Sequence, residues 1–373
     1  MDFAKSDIQA MVLDSAERLL AETSGIEYWR HQHESPLGFD QARWAQFADL
    51  GWLALPLPEA AGGLDGSMED VALLNVALGK ALATEPYAST VVLAAHVLGQ
   101  SACETKELLG RIASGDSRIA LAHQEEATQL REIAPPGTIA HLASEGYVLD
   151  GSKYLAADAP SADYLIVSAR MEGEEGTALF LVPTDATGLT LDSYPLIDGT
   201  RAADVTLQQV SLPREALLVG ANAGAEILSQ AVDRASIALM AQAVGAMEAS
   251  VRLCGAYAAE RRQFGQAIGQ FQSIQHILAD MFIAAHQARS MLYHALANAD
   301  ADKPERRAAI SAARIVIGEA GQTVSRNGIQ VHGGYGLTDE YEISHYFRRL
   351  MVLEKQYGDL AAHVERFGDT VLA

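Results

Sequence analysis

Apolar positions recur every three to four residues over residues 2–114, the period of an amphipathic helix. Met11, Val12, Ser15, Leu19 and Leu20 share one face of a first helix, and Trp44, Phe47 and Ala48 lead a short second one to a Leu50-Gly51 stop. Prolines and glycines break the pattern over 53–66, which reads as a loop; 68–82 and 88–98 return to it. Near Arg118 the period changes. Short runs rich in β-formers at 119–122, 139–142, 147–149, 164–168, 178–182, 190–194 and 204–210 are separated by turn signals such as Asp150-Gly151 and Asp198-Gly199. That spacing predicts a small β-barrel or sandwich. Four long amphipathic runs follow, at 227–257, 271–299, 304–327 and 340–367, the third opening on Pro304. They predict an antiparallel four-helix bundle. The chain is thus mainly α with a central β domain, in three domains at 1–115, 116–220 and 221–373.

Composition narrows the function. With 373 residues, 49% hydrophobic and 20% charged, the chain has an ordinary globular make-up. A net charge of −21 argues against nucleic acid, which needs a basic footprint, and against an anionic membrane surface. A polyanionic ligand would need a local basic patch. Cys103 and Cys254 stand in apolar helical surroundings and read as buried, inert thiols. Met1-Asp2-Phe3 opens no secretory signal, and no apolar run approaches the ~20 residues of a membrane span, so the expectation is a soluble, cytoplasmic protein. His31-Gln32-His33-Glu34 has no third ligand in view and reads as a polar loop rather than a metal site. The dinucleotide-fold fingerprint, the Walker loop, the nucleophile elbow and the zinc-protease motif are all missing from the sequence.

The richest chemistry lies between two helical runs. Arg261-Arg262-Gln263-Phe264-Gly265 is followed by Ile268-Gly269 and Phe271-Gln272, and the two glycines break the helical pattern. Guanidinium, amide and aromatic groups on one turn suit a planar, phosphate-bearing ligand: arginine forks onto pyrophosphate, and the first turn of the next helix favours an anion. A capped hairpin with solvated arginines fits the same spacing. Further on stands Gln330-Val331-His332-Gly333-Gly334-Tyr335-Gly336, whose glycines allow close backbone approach.

These two phrases resemble the Arg-x-x-Phe-Gly turn and the Gln-x-x-Gly-Gly-x-Gly loop of the acyl-CoA dehydrogenase family, and the resemblance spans essentially the whole chain. Val232-Asp233, the 238–247 stretch and the His345-Tyr346-Phe347-x-Arg349-Leu350 ending are closest to small subunits of its heteromeric members, of the pimeloyl-CoA dehydrogenase and steroid side-chain type. The resemblance implies FAD held between helices and across a subunit interface. Arg261, Phe264, Ile268, Phe271 and Ile274 would serve the adenosine-diphosphate half, with Gln330, Gly333 and Gly334 approaching from another subunit. The implied reaction is α,β-dehydrogenation of an acyl-CoA thioester to the trans-2-enoyl-CoA, with electrons passed to an electron-transferring flavoprotein. The implied assembly is a homotetramer, or a heterotetramer with a larger homologous subunit.

The sequence departs from the family pattern in two places. The usual Tyr-Glu-Gly-Thr segment reads Gln356-Tyr357-Gly358-Asp359, which puts a phenol where the catalytic glutamate stands. The family's alternative base position reads Asp233-Arg234, so the resemblance implies Asp233 as base and Arg234 as a substrate contact. In the middle domain the Thr-Glu-Pro segment is replaced by His123-Gln124-Glu125-Glu126 and the Trp-Ile-Thr segment by Leu155-Ala156-Ala157. Those losses imply a second role, a non-catalytic subunit that completes a homologous partner's FAD site.

Overall fold

The computed structural model describes residues 6–125 and 135–372; Met1-Asp2-Phe3 and Glu126 lie outside them. The chain forms two compact units that are not contiguous in sequence. One comprises residues 1–33, 68–83 and 236–373; the other comprises 34–67 and 84–235.

In the first unit α1 (Asp7–Glu22) is opened by a reciprocal cap between Ser6 and Gln9. Its buried face is Ala16 and Leu20, whereas Met11, expected on that face, is 72% exposed. Residues 31–34 are not a loop: they close α2 (Ile26–Glu34), where Gln32 is buried and the His33 ring lies 5.3 Å from that of His345. No group of metal-ligating side chains occurs among the described residues.

The second unit holds α3 (Gln41–Asp49), ended by Leu50 and the left-handed Gly51 as the sequence suggested. Arg43 of α3 makes a fully buried two-pronged ion pair with Glu85, at 2.6 and 2.8 Å. After α4 (Met68–Lys80) of the first unit, the run expected to be α-helical is instead a π-helix, Tyr87–Ala94, continuing into α5 (Ala95–Gly99). Its wider turns let Ser89 reach Asp158 at 2.6 Å and Thr90 bond Ile119 at 3.1 Å. Cys103 follows α5 in a bend rather than a helix, its thiol donating to the Leu217 carbonyl at 3.3 Å. The last helix before the strands is α6 (Lys106–Ala113).

Among the described residues the β region has eight strands: β1 (Ile119–Ala122), β2 (Ile139–Leu142), β3 (Gly146–Ala157), β4 (Tyr164–Met171), β5 (Ala178–Pro183), β6 (Leu189–Pro195), β7 (Arg201–Pro213) and β8 (Leu217–Val219). Their order is β6-β7-β3-β2-β4-β5-β8, with β1 parallel beside β4. Leu189 and Leu191 at one end of that order and Leu217 at the other pack on the same core, around Leu149, Leu165, Val167, Phe180 and Val205. A sheet whose two ends share one core is curled on itself, as the barrel expectation required. Asp198-Gly199 does turn the chain between β6 and β7, the Gly199 amide bonding the Leu196 carbonyl at 3.0 Å. Asp150-Gly151 does not: it runs on inside β3 and faces a bulge in β7, where Gln208 and Gln209 (φ 53°) together oppose Asp150.

The helical C-terminal part begins with α7 (Ala221–Glu260), a single 40-residue helix and about 60 Å of rise. Its most apolar window is long enough to cross a membrane, but 78% of that window is buried within the protein, as in a core helix. Gly79 and Gly245 let it lie directly against α4, since a Cβ at either would sit 2.0 Å from a carbonyl oxygen of the facing helix. Then come α8 (Gln272–Ala297) and α9 (Lys303–His332), the latter with Pro304 in its first turn. The fourth expected run is two helices, α10 (Glu342–Lys355) and α11 (Leu360–Leu372). Between them Tyr357 and Gly358 take left-handed conformations, φ 56° and 104°, that an α-helix cannot contain.

Candidate active site

The turn after α7 is a miniature hairpin. β9 (Arg262–Gln263) pairs antiparallel with β10 (Gln266–Ala267), leaving Phe264 and Gly265 as its central residues at φ 51° and 85°. Two consecutive left-handed residues are what a two-residue hairpin turn demands, and glycine meets that at no steric cost. Phe264 meets it with a side chain that is 92% exposed. The Ile268 amide donates to the Arg261 carbonyl at 2.8 Å, closing the turn before α8 begins. Arg261 is exposed, Ile268, Phe271 and Ile274 are half-buried, and the Phe264 and Phe271 rings meet edge to face at 6.2 Å. A cation beside an exposed apolar lip can hold a phosphate and a flat ring together.

The glycine loop ends α9. Gln330, Gly333 and Gly334 are all exposed. Gly333 has φ 62°, so its backbone alone explains glycine. Gly334 is different: it lacks a left-handed φ, and a Cβ there would meet no atom within 4 Å. Nothing inside the chain requires glycine at that position, which fits a surface that something else approaches closely.

Tyr257 joins the two elements. It stands one helical turn before Arg261, whose amide donates to the Tyr257 carbonyl at 2.9 Å. Its ring lies 4.2 Å from the His332 ring and 6.5 Å from that of Tyr335, the two residues that flank Gly333-Gly334. Residues more than 70 apart in sequence thereby form one surface, and it suits the adenosine-diphosphate part of FAD by donor chemistry and by open glycine. In the sequence these two are marked only by position, Tyr257 four residues before Arg261 and His332 inside the Gln330–Gly336 phrase.

Asp233 is 1% exposed and Arg234 half-buried. Asp233 stands twelve residues inside α7, about 18 Å from its first residue. It precedes Arg261, just past the end of α7, by 28 residues.

The position of the usual glutamate is held firmly, but not by a carboxylate. Buried Arg314 of α9 donates to the carbonyls of Leu353, Glu354, Gln356 and Gly358 at 3.1, 3.2, 2.6 and 2.9 Å, pinning the turn that carries Tyr357. Its Nε donates to His363 Nε2 at 3.2 Å, so that imidazole is neutral. Burial, and then Arg314, lower the His363 pKa to about 3. The nearby Glu354 accepts from the Leu360 amide at 2.9 Å and pairs with Lys355 at 3.0 Å, capping α11. In the β region, Glu125 and His123 belong to an internal cluster. Buried Lys153 reaches Glu125 at 2.6 Å and the Ser168 carbonyl at 2.6 Å, and His123 Nδ1 lies 2.7 Å from Ser168 Oγ. Leu155 (φ 50°), Ala156 and Ala157 end β3 with aliphatic side chains only.

Comparison with known proteins agrees along the full length. Residues 6–116, 120–210 and 222–371 match the N-terminal, middle and C-terminal domains of acyl-CoA dehydrogenase. The chain is 29% identical to the probable acyl-CoA dehydrogenase YngJ of Bacillus subtilis, over 96% of this chain and 95% of that one. Among solved structures it is similar to the Tcur3481-Tcur3483 steroid ACAD, with TM-score 0.88, 28% identity and 98% of each chain covered. It is likewise similar to butyryl-CoA dehydrogenase from Megasphaera elsdenii, with TM-score 0.88, 25% identity and 100% of each chain covered. From its fold, its domain order and these matches, the chain belongs to the acyl-CoA dehydrogenase family and is a FAD-dependent oxidoreductase of that family.

Proposed function

We propose that this protein catalyses α,β-dehydrogenation of an acyl-CoA thioester within an assembly in which each FAD is shared between subunits, its electrons passing to an electron-transferring flavoprotein. The observation that carries the reading is the exposed surface that joins the Arg261 turn to the glycine loop. Tyr257 lies between the exposed Arg261 turn and the open Gly334, and that outward-facing surface supports a cofactor reached from another subunit. FAD, when bound, supplies the acceptor for the β-hydride. Asp233 takes the α-proton on its carboxylate, in surroundings already dry enough for acyl-chain entry to raise its basicity. Arg234 stands beside it as the contact for the substrate. On a neighbouring subunit's cofactor, Arg261 holds phosphate, Phe264, Ile268, Phe271 and Ile274 line the adenine side, and Gln330, Gly333 and Gly334 close the approach. The cytoplasm is the proposed location.

A second reading is favoured by the aliphatic Leu155-Ala156-Ala157 end of β3 and by Tyr357 at the usual base position. In it the chain lends its Arg261 surface to a larger homologous subunit and does no chemistry of its own. The steroid ACAD it matches bears a two-part name. The deciding experiment is to purify the chain alone and ask whether it is yellow and is bleached by a panel of acyl-CoA thioesters. Bleaching supports the first reading; a colourless chain that becomes active only with a homologous partner supports the second.

A further inference from the structure

His332 ends α9 immediately before Gly333 and is 4% exposed. Its Nδ1 is 2.8 Å from the Gly328 carbonyl, which can only accept, so that nitrogen carries the proton. Its Nε2, left with a lone pair, lies 3.3 Å from the Tyr341 hydroxyl, which therefore donates to it. One face of the ring is covered by Tyr257 at 4.2 Å, and Tyr341 tilts against the ring at 4.8 Å. Tyr335 closes the nest at 4.5 Å from Tyr341. At Gly336 even a Cβ would come within 2.9 Å of the His332 Cβ, so the loop is wrapped tightly around this residue. Its contacts therefore reach three segments at once: the end of α7 that leads to Arg261, the last turn of α9 with Gln330, and the turn bearing Gly333 and Gly334.

We propose that His332 is a positioning residue for FAD binding, whose fixed tautomer and ring stack set the spacing between the Arg261 turn and the Gly333-Gly334 backbone. The proposal rests on the reading that this surface holds FAD. It acts through geometry: a phosphate grip and a backbone approach must be held at one separation to bind a single ligand, and rigid pre-placement lowers the ordering cost of binding.

The test measures FAD affinity of the assembled protein by fluorescence titration after flavin removal, beside the thermal midpoint of the apoprotein. His332→Leu should weaken FAD binding by about fivefold to thirtyfold, the scale of one or two lost hydrogen bonds. His332→Asn, which can still donate to the Gly328 carbonyl, should recover part of that loss. Tyr341→Phe keeps the ring but removes the donor to Nε2, and should weaken binding by about two- to fivefold. Ile310→Val trims the buried core of the same helix and should lower the midpoint without changing FAD affinity. If Arg261→Ala loosens FAD while His332→Leu and Tyr341→Phe bind it like the parent, His332 only packs and the proposal fails. If Arg261→Ala also binds FAD like the parent, the placement of FAD on this surface fails first. Should His332→Leu not assemble, the Tyr341→Phe and His332→Asn affinities decide: parental binding in both overturns the proposal.

Discussion

Two single residues give the sharpest tests. Asp233→Asn keeps size and polarity but removes the proton acceptor. FAD should stay bound, and rapid-mixing reduction by a competent acyl-CoA should slow at least ~10²–10⁴-fold, the range of a positioned general base. Reduction at the parental rate would make Asp233 a structural acid. Gly334→Ala separates folding from binding, because a Cβ there meets nothing within 4 Å inside the chain and no left-handed φ is involved. Its thermal midpoint should match the parent while FAD retention through gel filtration falls; full retention would remove Gly334 from the site. These residues were legible in the sequence only unevenly. Arg261 and the glycines stand in recognisable phrases, but Gly334 became informative only when the space around it was known.

At the scale of elements, the α10–α11 turn is held by one buried guanidinium. Arg314 donates to four carbonyls and to His363, so Arg314→Leu strands several buried acceptors and should cost at least ~3 kcal/mol in denaturant unfolding. A loss below 1 kcal/mol would mean water replaces it. The imidazoles of His363 and His123 are both held neutral, their pKa lowered from 6.5 to about 3 by burial first and by a neighbouring cation second. The unfolded chain therefore binds more protons than the folded one as pH falls below about 6.5. The stability those neutral rings preserve is complete above that pH and is lost as pH falls through about 3. Scanning calorimetry from pH 7 to pH 3.5 should show a falling midpoint, and a flat profile would contradict the buried-neutral assignment. Helix and strand positions followed from periodicity, and the ends of β1 and β2 agree with the apolar runs residue for residue. The break at Tyr357 escaped it because the apolar period continues across a left-handed residue. The continuation of β3 through Asp150-Gly151 escaped it because a turn and a strand that faces a bulge can carry the same residues.

At the scale of the molecule, the proposed sharing of FAD between subunits would make cofactor binding a property of the assembly. A monomeric form should lose flavin, and Arg261→Ala should weaken FAD by ~1.5–3 kcal/mol, the scale of a hydrogen bond to a charged group. Size-exclusion chromatography with absorbance at the flavin band reads both. Full flavin on a monomer, or full occupancy in Arg261→Ala, would sink the shared site. By itself the sequence determined the succession of helices, strands and helices, the acidic surface and the two cofactor phrases, because periodicity and short motifs are local properties. Only the tertiary structure decided which distant residues meet. It put Tyr257 against His332 and filled the Tyr357 turn with the Arg314 side chain. Those outcomes depend on packing between segments far apart in the chain, where space and unpaired carbonyls, not spacing along the sequence, choose the partner.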